Sequence, residues 1–386
     1  MEATATGGNC ALPGKGLLYF FKDLSDPRGR NKIHNLPAML AIAICAVICG
    51  AEGWVDVALF GKSKGKWFRT FLDLPGGMPS HDTFGRVFAR LAPESLERCF
   101  VAWMSALVEC TGGQLIAIDG KAIRRSFEHA WDRSGMVHLV SAFVGANQMV
   151  FGQLAVADKS NEIVAIPKLL ELLDLRGSVV TIDAIGCQRN IAEKIVDGGG
   201  GYVLAVKGNQ QTLHAKVKGL LDESICESFE GMRHDSFEQT EKGHGRIETR
   251  KVWCTPEVQW VGESAKQWAG LRSIAVVESR RQVSGQETKT ERRYYISTLD
   301  GTDAKTMAQA IRGHWGIENR LHWSLDVTFQ EDQSRIRKDH GAQNYSRLRR
   351  IALNLLRRET SMKASIRGKR KVAGWDHDYL LKLLLT

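Results

Sequence analysis

LIAIDGKAIRRS, residues 115–126, is the stretch whose reading decides the fold. Leu115, Ile116, Ala117 and Ile118 run directly into Asp119, Gly120 and Lys121. A short apolar run closed by an Asp-Gly turn pair reads as a strand that ends at a sheet edge. SVVTIDAIGCQ, residues 178–188, repeats the form, with Asp183 closing the apolar run and small residues after it. A carboxylate at such a position faces solvent and is no core residue. If the two strands are neighbours, the two carboxylates meet, and a bound cation relieves their repulsion. Taken singly, each aspartate also reads as a turn cap.

The surroundings fit a mixed sheet. His138–Phe143 and Met149–Ala155 read as two further strands around a glycine-containing turn, which makes a meander with the first. An amphipathic helix over 161–173 precedes the Asp183 strand, and a helix over 190–197 precedes a fifth strand, Tyr202–Val206. Three strands followed by helix–strand alternation predict an α/β fold with helical cover. Upstream, residues 17–110 carry a period near 3.6 and read as helical, with Ser80 or Asp82 capping one helix. Downstream, RIETRKVWC (246–254), GLRSIAVVES (270–279) and RRYYISTL (292–299) read as strands of a β-rich insertion. The expected organisation is a helical N-terminal region over 1–111, a catalytic domain over 112–210 plus 301–360, the insertion over 211–300, and a basic C-terminal tail over 361–386.

A third carboxylate is offered by IRGHWGIENRLHWSLD, residues 311–326. On an α-helix His314, Glu318, His322 and Asp326 form one polar stripe, because residues four apart share a face. Alone, the stripe fits a zinc site or a solvated polar face. With two remote aspartates, an oxygen-ligand site for a hard divalent cation is favoured. Glu318 is the expected third ligand, with Asp326 and Glu331 as alternatives. Two Mg²⁺ ions held this way, or Mn²⁺ in their place, catalyse in-line displacement at phosphorus.

Charge points to the partner. The chain has 386 residues and a net charge of +10, and residues 335–371 hold 13 Lys and Arg against Asp339 and Glu359. Such a block favours a polyanion. The residues expected to meet DNA are Lys121, Arg124 and Arg125 beside Asp119; Lys207, Asn209 and Gln210 after the fifth strand; His314 and His322; and Arg335, Arg337, Lys338, Arg349 and Arg350. KGHGRIETR, residues 242–250, reads equally as a basic hairpin or as a plain one. No G-x-x-x-x-G-K-[ST] is present, so ATP use is not indicated. The eight cysteines show no C-x-x-C, which suits a reducing cytoplasm. The apolar run Leu36–Gly50 is short of the roughly 20 residues that cross a bilayer and reads as a buried helix.

The chain resembles the DDE transposases of bacterial insertion sequences, in the H-repeat-associated branch. The matching segments include GMPSHDTFGRVF, IAIDGKAIRRS, KSNEIVAIPKLLELLDL, VTIDAIGCQRNIAEKIV, YVLAVKGNQ, GHGRIETR and HWGIENRLHWSLDVTFQED. The resemblance implies an RNase H-like catalytic domain, with Asp119, Asp183 and Glu318 as its metal-binding triad. It implies cleavage of element ends and transfer of the freed 3′-OH strand into target DNA, by a homodimer where two ends are brought together. Where related branches carry an arginine, a tyrosine and a lysine around the glutamate, this chain has His314, Ile311 and Leu325. A nuclease without strand transfer and an inactive DNA-binding remnant are the competing readings.

Overall fold

Nine strands form one sheet, and its order explains where the carboxylates fall. A computed structural model describes residues 16–29, 32–108, 114–127, 136–146, 148–156, 161–243, 245–283, 285 and 287–385. Residues 1–14, the Gly112–Gly113 break, Lys159 and Ser160 of the KSNEIV motif and His244 lie outside that set. The strands are β1 (Leu115–Ala122), β2 (His138–Val144), β3 (Met149–Val156), β4 (Val179–Ile182), β5 (Gly201–Val206), β6 (Asp235–Gly243), β7 (Arg246–Thr255), β8 (Ser273–Val283) and β9 (Lys289–Ser297). Their spatial order is β3-β2-β1-β4-β5-β9-β8-β7-β6. The β1–β2 and β2–β3 pairs are antiparallel, and β4 and β5 run parallel to β1. This antiparallel meander joined to a parallel pair is the RNase H-like arrangement, and the fold class is the mixed α/β one expected.

The segment 211–300 is more ordered, and more helical, than its polar composition suggests. It opens with a helix, Gln211–Cys226, that sequence reading did not separate from the strands. β6 was also unread, because DSFEQTEKG has few apolar residues. The strands do not form a detached module. β9 pairs antiparallel with β5, so the insertion prolongs the central sheet.

Contacts divide the chain into two units, one of residues 113–123 and 134–324, the other of residues 1–112, 124–133 and 325–386. In the sheet unit, helices Glu162–Leu170 and Arg189–Asp197 bury Ile166, Leu169, Ile191 and Ile195. Helix Ala304–Gly316 packs on the sheet through Ala304, Met307, Ala310 and Ile311, against Val203, Val252, Ala275, Val277 and Tyr295. Gly313 is needed there, since a Cβ would overlap the Leu115 side chain of β1. Burying Met307 and Ile311 contributes about 1.5–3 kcal/mol each, which ties this helix to the sheet.

In the helical unit, Leu36–Ile48 is buried along nearly its whole length. Among the described residues no helix is long and apolar enough to cross a membrane. Helix Gly341–Arg358 packs on it. Trp54 stacks on Phe88 at 4.8 Å between centroids and meets the Tyr345 ring edge-on at 4.8 Å. Residues 361–386 carry two further helices, Ile366–Trp375 and His377–Leu385, which bury Ala373, Leu380 and Leu383.

Candidate active site

The register of one strand pair brings the two aspartates together. In the parallel β1–β4 pair Leu115 faces Val179 and Ile118 faces Ile182. The next residue along each chain is an aspartate: Asp119 lies within β1, opposite Ser141 of β2, and Asp183 lies just past the end of β4. The turn-cap reading is realised at Asp183, which caps the turn Ala184–Gly186, and is corrected at Asp119, because β1 runs on through the Asp-Gly pair to Ala122. Gly120 N–H donates to Asp119 Oδ1 at 2.8 Å, and Ile185 N–H donates to Asp183 Oδ1 at 3.1 Å. A cap and a functional carboxylate are compatible, because a carboxylate has two oxygens.

Burial, and after it the charge of Asp183, push the Asp119 carboxyl up to about 7. The Gly120 N–H pulls the other way, while Glu318 and Glu162 push it further up. Glu318 is therefore within electrostatic reach of Asp119, as the triad reading requires.

The helix that carries Glu318 differs from expectation. It is α-helical only to Gly316 and widens to a π-helix over Ile317–His322. Trp323 N–H donates to Glu318 O, five residues back. The four-residue stripe therefore holds only as far as the α-helix does, and beyond Gly316 residues five apart come closest. His314 shares a 3.2 Å hydrogen bond between Nδ1 and Thr181 Oγ1, two residues before Asp183. Burial holds its imidazole below the ordinary value, against the pull of Asp183. His314 thus braces the strand that ends in Asp183. His322 Nδ1 lies 3.7 Å from Asp119 Oδ2, beyond hydrogen-bond length.

One acidic residue was missed. Glu162 is 5 % exposed, and a Cβ on Gly120 would overlap its carboxylate. Gly120 is thus required by close approach of a fourth carboxylate to the Asp119 turn. The signal was present: Glu162 occupies the first position of the buried stripe Glu162, Ala165, Ile166, Leu169, where an apolar residue belongs.

The expected DNA-contacting residues separate into groups. Asn209 Nδ2 donates to Ala184 O at 2.5 Å and Gln210 Nε2 to Cys187 O at 3.0 Å, so both amides hold the turn after Asp183. Lys207 is exposed and Lys121 half-buried. In the helical unit Arg124 is exposed and pairs with Asp332 at 3.1 Å, Arg125 is exposed, and Arg337 Nε donates to Arg125 O at 3.0 Å. Arg335 and Lys338 are exposed.

Arg349 and Arg350 require a correction. They are 1 % and 0 % exposed, so they present no charge to a partner. Arg350 Nη1 donates to Glu331 Oε1 at 2.9 Å, and the Arg349 guanidinium lies 4.6 Å from the Tyr345 ring centroid. Arg347 is likewise inside, paired with Glu97. The physical reason is that Gly341–Arg358 is a central helix of its unit. Arg347 and Arg350 are neutralised by carboxylates from other segments, and Arg349 lies on the Tyr345 ring. Glu331 is withdrawn as a metal ligand by the same finding: it is 0 % exposed and accepts from Arg350 and Ser346. Asp326 belongs to the helical unit. Among the described residues no group of three or more His, Cys, Asp or Glu side chains stands close enough together to hold a metal ion, so the approach of Glu318 to the two aspartates is not formed in this arrangement.

Comparison with known proteins follows the same line. Residues 111–355 match the family model described as transposase DDE domain, and residues 18–104 match the one described as DDE_Tnp_1-associated. The "H repeat-associated putative transposase YhhI" of Escherichia coli (strain K12) is 39% identical over 375 residues, which cover 96% of this chain and 98% of that protein. The "Putative transposase YncI" of Escherichia coli O157:H7 is 40% identical over 375 residues, covering 96% and 95%. A cryo-EM structure of a piggyBac transposase synaptic complex with hairpin DNA overlaps 90% of this chain and 70% of its own at a TM-score of 0.40 and 10% identity, a likeness too low to carry an argument. With family models matched over residues 18–104 and 111–355 and relatives about 40% identical over nearly the whole chain, the chain belongs to the DDE transposases of insertion sequences.

Proposed function

We propose that this chain cleaves the ends of an insertion sequence and joins the freed 3′-OH to target DNA, using Mg²⁺, with Mn²⁺ as a substitute. The observation that supports the reading is the parallel β1–β4 register, in which Ile118 faces Ile182 and an aspartate follows on each chain. The donor set fits a hard divalent cation, being carboxylate oxygen. The electrostatics fit as well: burial, and after it the charge of Asp183, push the Asp119 carboxyl up to about 7, and a bound cation favours its ionised form. When bound, such ions supply Lewis acidity at the phosphodiester and lower the pKa of an attacking water.

The chain's own residues do the positioning. Asp119 and Asp183 each commit Oδ1 to a backbone N–H, which fixes the carboxylate planes. Asp119, Asp183 and Glu318 are the residues that would hold the ion. His314 holds β4 through Thr181, and Asn209 and Gln210 hold the turn beyond it. Exposed Arg124, Arg125, Lys207, Arg335 and Lys338 are the cations offered to DNA. The partner is double-stranded DNA, at element ends and at the target, met by a homodimer in the cytoplasm.

The test uses the purified full chain, element-end DNA and Mg²⁺. Asp119→Asn, Asp183→Asn and Glu318→Gln are each expected to lower end cleavage by at least about 10³-fold, and Asp326→Asn to leave it within about threefold. Loss with Asp326→Asn alone would move the third ligand. Supplying pre-cut ends with a free 3′-OH and finding no joined product would leave a nuclease, and no cleavage with any divalent metal would leave a DNA-binding remnant.

A further inference from the structure

The GHGRIETR segment, which sequence reading left between a basic hairpin and a plain one, forms part of a groove that ends at Glu318. Arg246 and Arg250 of β7, Arg293 of β9, and Arg312 and Trp315 of helix Ala304–Gly316 line a cavity of about 290 Å³ whose lining also includes Glu318. Alternation puts them together. Arg246 and Arg250 share one face of β7 with Val252, and that is the face covered by the helix. The floor is the buried apolar surface of Val252, Val277 and Ile311, and around it the guanidiniums alternate with the carboxylates of Glu248, Glu291 and Glu318, Arg250 pairing with Glu248.

The charges are prearranged. Arg293 makes two hydrogen bonds to Glu291, at 2.9 and 3.2 Å, and its guanidinium lies 4.8 Å from the Trp315 ring centroid. Arg250 and Arg312 converge on Glu241 at 3.0 and 2.8 Å, and Arg246 lies 3.7 Å from Glu248. Each guanidinium has five N–H donors in a fixed fork, more than one carboxylate takes, and the planar fork suits phosphate. Arg246 and Arg312 are 42% and 46% exposed, so their ion pairs are weak and solvent-screened. The cavity, about 290 Å³, is at the small end of the range of ligand sites, roughly 300–1,000 Å³.

We propose that this groove binds the phosphodiester backbone of the single DNA strand adjoining the scissile bond, with Arg246 and Arg312 as phosphate contacts. The proposal rests on Glu318 being part of the reacting centre. A solvated ion-pair network that only braces the sheet is the competing account.

Fluorescence anisotropy of a labelled element-end oligonucleotide with the full chain, in EDTA, reads binding without cleavage. Arg246→Gln/Arg312→Gln is expected to weaken binding about tenfold at low salt and to reduce the slope of log K against log [salt] by about 1.4–1.8, the loss of two phosphate contacts. Arg246→Lys/Arg312→Lys, which keeps the charges, is expected to retain most of the slope. In the unmodified protein, the oligonucleotide is expected to protect Arg246 and Arg312 from phenylglyoxal, read by mass spectrometry; this arm does not depend on any variant folding. Unchanged slope with unprotected arginines overturns the proposal. If that happens while Glu318→Gln still abolishes cleavage, the groove alone is wrong. If the slope falls while Glu318→Gln still cleaves, the groove stands as a DNA site and the catalytic reading of Glu318 fails.

Discussion

Asp119 and Arg350 are both charged groups withdrawn from water, and their surroundings treat them in opposite ways. Around Asp119 stand the like charges of Asp183, Glu318 and Glu162, with His322 3.7 Å away, and burial followed by Asp183 pushes its carboxyl up to about 7. Around Arg350 the neighbour is Glu331, of opposite sign, at 2.9 Å with both groups fully buried. The first cluster is left with a charge that something outside the chain must balance. The second is balanced within the fold. Dense charge in a sequence therefore marks function only where the tertiary structure fails to neutralise it.

The comparison is broken most directly at Arg350. If its charge serves only the helical unit, Arg350→Met leaves Glu331 buried and uncompensated, costing about 3–5 kcal/mol. The double change Arg350→Met/Glu331→Leu is expected to recover most of that in chemical denaturation. The fraction of the single variant that remains folded should show an unaltered salt slope in DNA binding. A weakened slope with unchanged stability would return Arg350 to the DNA surface.

The opposite pole is sharpened by pH. The Asp119 carboxyl is raised above its ordinary value in the folded chain, so the folded state holds a proton that the unfolded state gives up first. Its contribution favours folding below about pH 4 and is lost as pH rises from about 4 to about 7, by roughly 2–4 kcal/mol. Asp119→Asn is expected to flatten that slope and to be more stable than the parent at pH 8 without metal. Added Mg²⁺ should stabilise the parent at pH 8 and leave Asp119→Asn nearly unmoved. Equal pH slopes in thermal melts of the two proteins would show that Asp119 is not frustrated.

The smallest expected effect belongs to the cations of the basic block that do face solvent. Arg335→Ala/Lys338→Ala should leave the melting temperature unchanged and lower DNA affinity a few-fold across sequences. The salt slope should fall by about 2 if both meet phosphate. A variant indistinguishable from the parent would remove the rest of the 335–371 block from the DNA surface.

Much of this was legible in the chain. The apolar runs before Asp119 and Asp183 were read as strands because short apolar runs closed by small residues have few other uses, but β1 continues past Asp119 to Ala122, since β2 pairs with it there. The Gly341–Arg358 helix was legible as a helix, yet its role was misread. Arg347, Arg349 and Arg350 look like any solvated basic face until Glu97, Glu331 and Tyr345, from elsewhere in the chain or on the same helix, are seen to close over them. β6 was missed because an edge strand needs no apolar alternation, and the π-helical turn at Glu318 because no local residue type demands it.

By itself the sequence determined eight of the nine strands, their order of appearance, three candidate carboxylates and the family, since these follow from local periodicity, turn chemistry and motif spacing. Only the tertiary structure decided which charges survive as charges. Whether a guanidinium is cancelled by Glu331 or stands in a groove beside Glu318 depends on contacts between residues far apart in the chain. So does the approach of Glu162 to Gly120, which no window of sequence contains.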